Sequence, residues 1–126
     1  MKMIALALLL LVGCAPIAVT PDHLADCGPR PTPDQAEAAA KDVIQHFGNF
    51  YLGGDLKDPD SALVRGVEVL QPAITYKGLG PSSGLIYGWG IRFEVNAKNG
   101  AGGYVGYQGY RFLHGADGRN YKGVNL

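Results

Sequence analysis

The sequence predicts a small α+β domain in which one N-terminal helix packs on an antiparallel sheet of three to four strands. Apolar residues at helical spacing follow a helix start signal near residue 32. Further along the chain, apolar and polar residues alternate with a period of two between turn dipeptides, which is typical of half-buried antiparallel strands. A helix followed by a run of strands indicates the α+β class.

The helix start is the segment Thr32–Gln35, which places a capping Thr before Pro at the first helical position and Gln three residues after the cap. We expect the helix to continue to about Leu52, because Gly53-Gly54 supplies a stop. Its apolar stripe comprises Ala36, Ala40, Val43, Phe47 and Tyr51, with Ala39, Ile44 and Phe50 beside it.

The segment after the helix predicts a short turn and a first strand. Residues 58–61 place a capping Asp before Pro, which predicts a single helical turn. Residues 63–71 alternate as a strand does, and Pro72 either ends this strand or kinks it. Residues 73–76 would then continue the strand, and the sequence GLGPSSG of residues 78–84 predicts a loop.

The strongest strand pattern is LIYGWGIRFEV, residues 85–95. One face is predicted to be an apolar wall that receives the helix, and the other to be thin and polar. The wall comprises Leu85, Tyr87, Trp89, Ile91, Phe93 and Val95, and the other face comprises Ile86, Gly88, Gly90, Arg92 and Glu94.

A hairpin and an edge strand are predicted to follow. Asn99-Gly100 is a dipeptide typical of tight hairpin turns, and a returning strand is expected from Tyr104. Gly103 is a candidate bulge, while Gly106 and Gly109 would leave space for a neighbouring aromatic ring or backbone. A second turn at Asp117-Gly118 and a short edge strand over residues 121–125 complete the sheet.

The first residues predict export and lipid anchoring. One Lys precedes a short apolar run, which is the pattern of a signal peptide. The sequence LVGC, residues 11–14, resembles a bacterial lipobox. This resemblance implies cleavage after residue 13 and lipid attachment at Cys14, while the alternative is an ordinary signal peptide with a chance cysteine. We therefore divide the chain into residues 1–13 as signal peptide, 14–31 as lipidated tether and 32–126 as folded domain. The tether is predicted to be a semi-extended spacer, because its prolines at positions 16, 21, 29 and 31 break regular structure.

Lipid attachment would place the protein in the cell envelope, facing the periplasm. Two or three acyl chains are enough for stable membrane attachment. Ala15 follows the cysteine, and by the sorting rule of enteric bacteria this favours the outer membrane. Cys27 lies in the predicted tether and is expected to be an exposed free thiol, with an intermolecular disulfide as the alternative.

Charge and motifs exclude several classes of function. Eleven basic and eleven acidic residues give a formal net charge of zero, and no basic stripe for nucleic acid is visible. The glycines of residues 100–109 match no nucleotide-binding motif, because they lead into a strand and not a helix. No metal-ligand spacing occurs, and no cofactor is predicted.

Two motifs resemble a widespread family of small bacterial lipoproteins. They are LKDPDSA at residues 56–62 and VNAKNGAGGYVGYQGYRFL at residues 95–113. The family pattern carries a polar-aromatic pair before GGY, where this chain has Gly100-Ala101. The resemblance covers about residues 26–118, and it implies an exported or lipid-anchored domain without implying an activity.

We therefore expect a non-enzymatic binding or structural module of the envelope, whose partner is another envelope protein or peptidoglycan. The candidate partner-binding residues are Asn96, Lys98, Asn99 and Tyr107, although the asparagines also suit a purely local role in the turn. The alternative is a small cell-wall hydrolase with an unrecognised site. Glu68 and Glu94 are the carboxylates predicted on strands, and surface charge is the simpler interpretation of both.

Overall fold

The computed structural model describes residues 17–51, 61–98, 102–104 and 106–121, with backbone alone at residues 47–51 and Pro81. Within these ranges the fold is α+β, and the predicted class is confirmed. The helices are α1 (Pro21–Cys27) and α2 (Pro33–Tyr51), and the strands are β1 (Leu63–Tyr76), β2 (Leu85–Asn96), β3 (Gln108–Gly115) and β4 (Asn120–Tyr121). The four strands form one antiparallel sheet in the order β1-β2-β3-β4.

Helix α2 starts where the sequence predicts. The Thr32 backbone N–H donates to Gln35 Oε1 at 3.0 Å, and the Gln35 backbone N–H donates to Thr32 Oγ1 at 3.2 Å. Two backbone donors that have no partner inside the helix are thereby satisfied. The helix extends to Tyr51, and the predicted end at about Leu52 lies outside the described residues.

The core lies between α2 and the sheet, and the first part of the predicted stripe forms its helical side. The side chains of Phe47, Phe50 and Tyr51 lie outside the described residues. The small Ala36 and Ala40 bring the helix close to the strands, and Val43 fills the space beside them. Each is almost completely removed from water. Among the described residues, the buried members of this cluster are Ala36, Ala39, Ala40, Val43, Ile44, Ile91, Phe93, Val95 and Phe112.

Strand β1 is continuous through Pro72 but contains two β-bulges. The pairing with β2 shifts register between Arg65 and Glu68, and again between Val69 and Pro72. In each bulge an extra residue of β1 stands against β2, so residues three apart face the same side of the sheet. Gly66 has a φ of 63° within the first bulge, a conformation that glycine adopts without strain. Pro72 therefore marks an irregularity and does not end the strand.

Strand β2 has the predicted bounds within one residue, but its two faces are not as predicted. Ile91, Phe93 and Val95 are buried against α2, as expected. On the face predicted to be thin and polar, Ile86 is only 5% exposed, while Leu85 of the apolar wall is 36% exposed. The prediction of one buried face along the entire strand is therefore wrong near residue 85.

The returning strand begins at Gln108 and not at Tyr104. Tyr104 forms only an isolated bridge with Lys98. Gly106 has a φ of 101°, and its N–H donates to Asn96 Oδ1 at 3.0 Å instead of joining the strand ladder. Among the described residues, and apart from its chain neighbours, no atom lies within 4 Å of a Cβ built on Gly106. Glycine is therefore explained at this position by its positive φ and not by the predicted close approach. The predicted bulge residue Gly103 has no positive φ, and the predicted turn at residues 99–100 lies outside the described residues.

Part of the predicted tether is folded. Residues 21–27 form α1, whose first residue is Pro21 and whose last turn ends at Gly28 with a φ of 73°. The His23 ring lies 5.9 Å from the ring of Tyr87, and Trp89 donates from Nε1 to Gly28 O at 3.1 Å. The expectation of an extended spacer through residue 31 is therefore wrong, because this segment packs on β2.

Cys27 is correspondingly buried, at 1% exposure, and its thiol is free. Its Sγ lies 3.9 Å from the carbonyl oxygen of Ala73. The prediction of an exposed thiol is wrong, because α1 turns this side chain toward β1. Burial raises the pKa of the thiol above its ordinary value.

The predicted turn after β3 is present. The Gly118 N–H donates to Gly115 O at 3.0 Å, and Arg119 N–H donates to Asp117 Oδ1 at 3.0 Å. Strand β4 follows at Asn120–Tyr121, while residues 122–125 of the predicted edge strand and residues 58–60 of the predicted helical turn lie outside the described residues. Among the described residues, no helix has the length and apolar character needed to cross a membrane.

Candidate functional site

The first bulge of β1 determines which charged side chains lie on the sheet face away from α2, here called the open face. Arg65 stands opposite Glu94, and Glu68 stands opposite Arg92. Without the extra residue of the bulge, Arg65 and Glu68 would face opposite sides. Arg111 of β3 is in register with Arg92, so it joins the same face.

Three of these residues form a continuous row of contacts with Tyr107, which directly precedes β3. This row is here called the arginine–tyrosine row: Tyr107, Arg65, Glu94 and Arg92. The Arg65 guanidinium carbon lies 3.6 Å from the ring centroid of Tyr107. Arg65 Nε also donates to Glu94 Oε2 at 2.9 Å, and Arg92 Nη2 lies 3.6 Å from Glu94 Oε1. One carboxylate is thus shared by two guanidinium groups, and a cation–π contact holds one of these against an aromatic ring.

The row is accessible to solvent. The side chains of Arg65 and Arg92 are 58% and 38% exposed, and that of Glu94 is 29% exposed. Gly109 contributes to this geometry, because a Cβ at that position would lie 3.4 Å from Arg92 Nη2. The open face therefore presents planar, multidentate donors beside an aromatic ring, and such donors bind carboxylates or phosphates well.

The candidate partner-binding residues separate into two groups. Tyr107 belongs to the row and is 36% exposed. Asn96 accepts the Gly106 N–H, and the Lys98 ammonium lies 5.5 Å from the ring centroid of Tyr104. Asn96 therefore has the turn-shaping role that was its alternative interpretation. Asn99 and the lipid-attachment residue Cys14 lie outside the described residues.

A second polar cluster links α2 to the edge of the sheet. Asn120 donates from Nδ2 to Asp42 Oδ2 at 2.8 Å, and its Oδ1 lies 2.6 Å from His114 Nδ1. His46 Nδ1 lies 2.9 Å from Asp42 Oδ1. Asp42, His114 and Asn120 line a cleft together with Trp89 and Cys27.

The cleft contains the residue types of a thiol nucleophile with an imidazole base, but Cys27 is poorly suited to that role. A reactive cysteine needs an accessible thiolate, which is favoured by a lowered pKa. Cys27 is buried with a raised pKa, and its Sγ lies at a backbone carbonyl. Within the described ranges, no three His, Cys, Asp or Glu side chains are grouped as metal ligands.

The carboxylates considered for hydrolysis both lie on the open face. Glu94 is engaged by Arg65 and Arg92, and Glu68 faces the strand position of Arg92. A general acid is usually held in apolar surroundings that keep it protonated, whereas ion pairs favour the ionised form. Glu94 is therefore in an environment suited to a charged binding surface.

Sequence reasoning did not identify Arg65 as a site residue. Arg92 and Glu94 lie two apart in the predicted strand, which indicates a shared face. Arg65 joins them only because of the bulge, and Gly66 beside it was the available signal.

Comparisons with protein-family models, with curated proteins and with solved structures found no match for the chain.

Proposed function

We propose that this protein is a membrane-anchored lipoprotein of the cell envelope whose folded domain is a non-enzymatic binding module. The anchor is the lipid on Cys14 that the lipobox-like sequence implies. The observation that carries the binding role is the arginine–tyrosine row, because exposed guanidinium groups beside an aromatic ring are recurrent features of recognition surfaces.

The partner carries carboxylates. The open face has three arginines, Arg65, Arg92 and Arg111, against the two acids Glu68 and Glu94, so its excess charge is positive. Peptidoglycan stem peptides provide free carboxylates in the envelope, and acidic segments of an envelope protein are the other source of the same chemistry. We favour peptidoglycan, because its repeated stem peptides allow many weak contacts to add along one polymer.

The test is co-sedimentation of the protein with purified, insoluble peptidoglycan. Arg65→Gln and Tyr107→Ala should each lower the sedimented fraction several-fold, and added salt should weaken binding. Arg119→Gln is the matched control: Arg119 O accepts the Gly115 N–H at 2.7 Å, and Gly115 pairs with Gly88, at the end of β2 remote from Glu94. Binding that is unaffected by both row variants contradicts the role of the row. Binding lost equally in Arg119→Gln indicates nonspecific charge attraction.

If peptidoglycan does not sediment the wild-type protein, capture from solubilised envelopes distinguishes the second source. An envelope protein retained by the wild type and by Arg119→Gln, but lost with Arg65→Gln, would assign the row to that protein. If neither peptidoglycan nor an envelope protein is bound through the row, the binding function is contradicted. Circular dichroism of each variant checks that the variant keeps the secondary structure of the wild type.

The second candidate, a small cell-wall hydrolase, is favoured by one observation, the cleft beside His114, Asn120 and Asp42. Release of soluble fragments from peptidoglycan by the purified protein, abolished by His114→Gln, would support it. Turnover abolished by Glu94→Gln would instead locate catalysis on the open face. Absence of turnover in the wild-type protein leaves the binding module as the better account.

A further inference from the structure

The β1–β2 hairpin ends in three exposed apolar or aromatic side chains and one lysine, here called the hairpin tip: Tyr76, Lys77, Leu79 and Leu85. Leu79 is entirely exposed, at 102% relative accessibility. Tyr76 and Leu85 form a cross-strand pair at the end of the hairpin and are 39% and 36% exposed. Exposure of a leucine side chain to water is unfavourable, and its burial against another surface would lower the free energy.

The composition of the tip matches the interface of a bilayer. Leucine favours the boundary of the acyl chains, and tyrosine is enriched at the level of the headgroups. A lysine near this level extends its ammonium group to the phosphates while its methylene groups stay in apolar surroundings. Lys77 is exposed directly beside Tyr76, and its backbone N–H closes the hairpin by donating to Gly84 O at 2.9 Å.

The path of the tether brings the proposed anchor near this part of the molecule. Ile17 and Val19 lie beside residues 68–74 of the outer strand β1. Cys14 is three residues before Ile17, so it is within about 10 Å of it even in a fully extended chain. Leu79 is five residues beyond Ile74, so it lies at most about 17 Å from it even if the chain between them were fully extended. A bilayer that holds Cys14 can therefore touch the tip when β1 faces it.

The opposite end of the sheet also exposes apolar side chains, but its two tyrosines have partners within the protein. The Tyr104 hydroxyl donates to Ser61 O at 3.1 Å, and the ring of Tyr107 is covered by the Arg65 guanidinium. Leu63 at that end is 46% exposed, less than half the value for Leu79. Of the two ends, the hairpin tip therefore has the more exposed leucine.

We propose that the hairpin tip docks on the membrane that holds the lipid anchor, with Leu79 inserted at the boundary of the acyl chains. This inference rests on the proposed lipidation of Cys14. One leucine binds a bilayer weakly, but the anchor makes the contact intramolecular and raises its effective concentration. Docking orients the domain so that β1 faces the membrane.

The experiment uses the full-length, lipidated protein reconstituted into vesicles of phosphatidylethanolamine and phosphatidylglycerol. Leu79→Cys is labelled with an environment-sensitive fluorophore, and Leu63→Cys, at the opposite end, is the matched control. The native Cys27 is buried and free, so it reacts slowly with the label. We expect blue-shifted emission and several-fold weaker quenching by aqueous iodide at position 79, with neither change at position 63.

Different results overturn different parts of the account. If unlabelled protein floats with the vesicles but both probes are quenched equally, the docking of the tip is wrong while the anchor stands. If the protein does not float, and Cys14→Ser behaves as the wild type does, the anchor and the tip inference both fail. If the probe at position 79 is already protected in the Cys14→Ser protein without vesicles, a second copy of the chain covers the tip.

Discussion

Replacement of Gly88 by alanine tests the packing of β2 against β3 at their buried end. A Cβ at this position would lie 2.1 Å from His114 O and 2.8 Å from the Cα of Gly115, whereas real Cβ atoms keep at least 3.0 Å from such atoms. Both atoms belong to the backbone of β3, so the strands must separate. Overpacking costs about 2 kcal/mol, and one weakened ladder hydrogen bond adds about 1 kcal/mol. We therefore expect the free energy of unfolding to fall by about 3 kcal/mol.

Urea unfolding followed by the fluorescence of Trp89, the single tryptophan, measures this change. In a domain of this size a loss of about 3 kcal/mol lowers Tm by roughly 15 °C. Gly109→Ala is the control, because its Cβ would lie 3.4 Å from the flexible end of the Arg92 side chain and its φ is not positive. Its stability should stay within about 0.5 kcal/mol of the wild type. A Gly88→Ala protein as stable as Gly109→Ala would refute the reasoning.

Three further predictions concern the helix cap, the buried thiol and the last turn. Thr32→Ala should lower the free energy of unfolding by about 1 kcal/mol, because it removes the acceptor for the Gln35 N–H. A loss of stability no larger than that of an exposed Ser-to-Ala control would argue against the cap. Cys27, with its raised pKa and buried side chain, should react with an aromatic disulfide reagent far more slowly in buffer than in urea, and equal rates would contradict its burial. Desolvation raises the pKa of Asp117, but the hydrogen bond from Tyr121 and its other partners outweigh this and lower it overall. A carboxyl with a lowered folded pKa stabilises the fold above its ordinary pKa and loses that effect as the pH falls further, so the difference between the wild type and Asp117→Asn should vanish in acid titrations.

Helix α1 is not predicted from the sequence, although its start signal is present there. Thr20-Pro21-Asp22 repeats the Thr-Pro-Asp sequence that correctly predicts the start of α2. The prolines around it indicated an extended spacer, although Pro at the first helical position favours a helix. A helix this short is not stable alone, and its contacts with Tyr87 and Trp89 come from distant parts of the chain. Local sequence therefore carried the signal, but tertiary packing decided the outcome.

The strands show the same division between local and distant causes. The alternation of residues 85–95 predicts β2 because a single side-chain period runs through it. Strand β1 breaks its period at two bulges, so alternation predicts its existence but not which side chains share a face. The arginine–tyrosine row depends on this register and on the approach of Tyr107 to Arg65, residues that are far apart in sequence. Its composition was visible in the sequence, whereas its assembly required the fold.

The measurement that tests the central claim most directly is the intact mass of the protein purified from membranes. A lipoprotein anchored at Cys14 should lack residues 1–13 and carry the added mass of two or three acyl chains on its new first residue, and Cys14→Ser should carry none. A membrane-derived protein with an unmodified Cys14, or one cleaved elsewhere, would contradict the account.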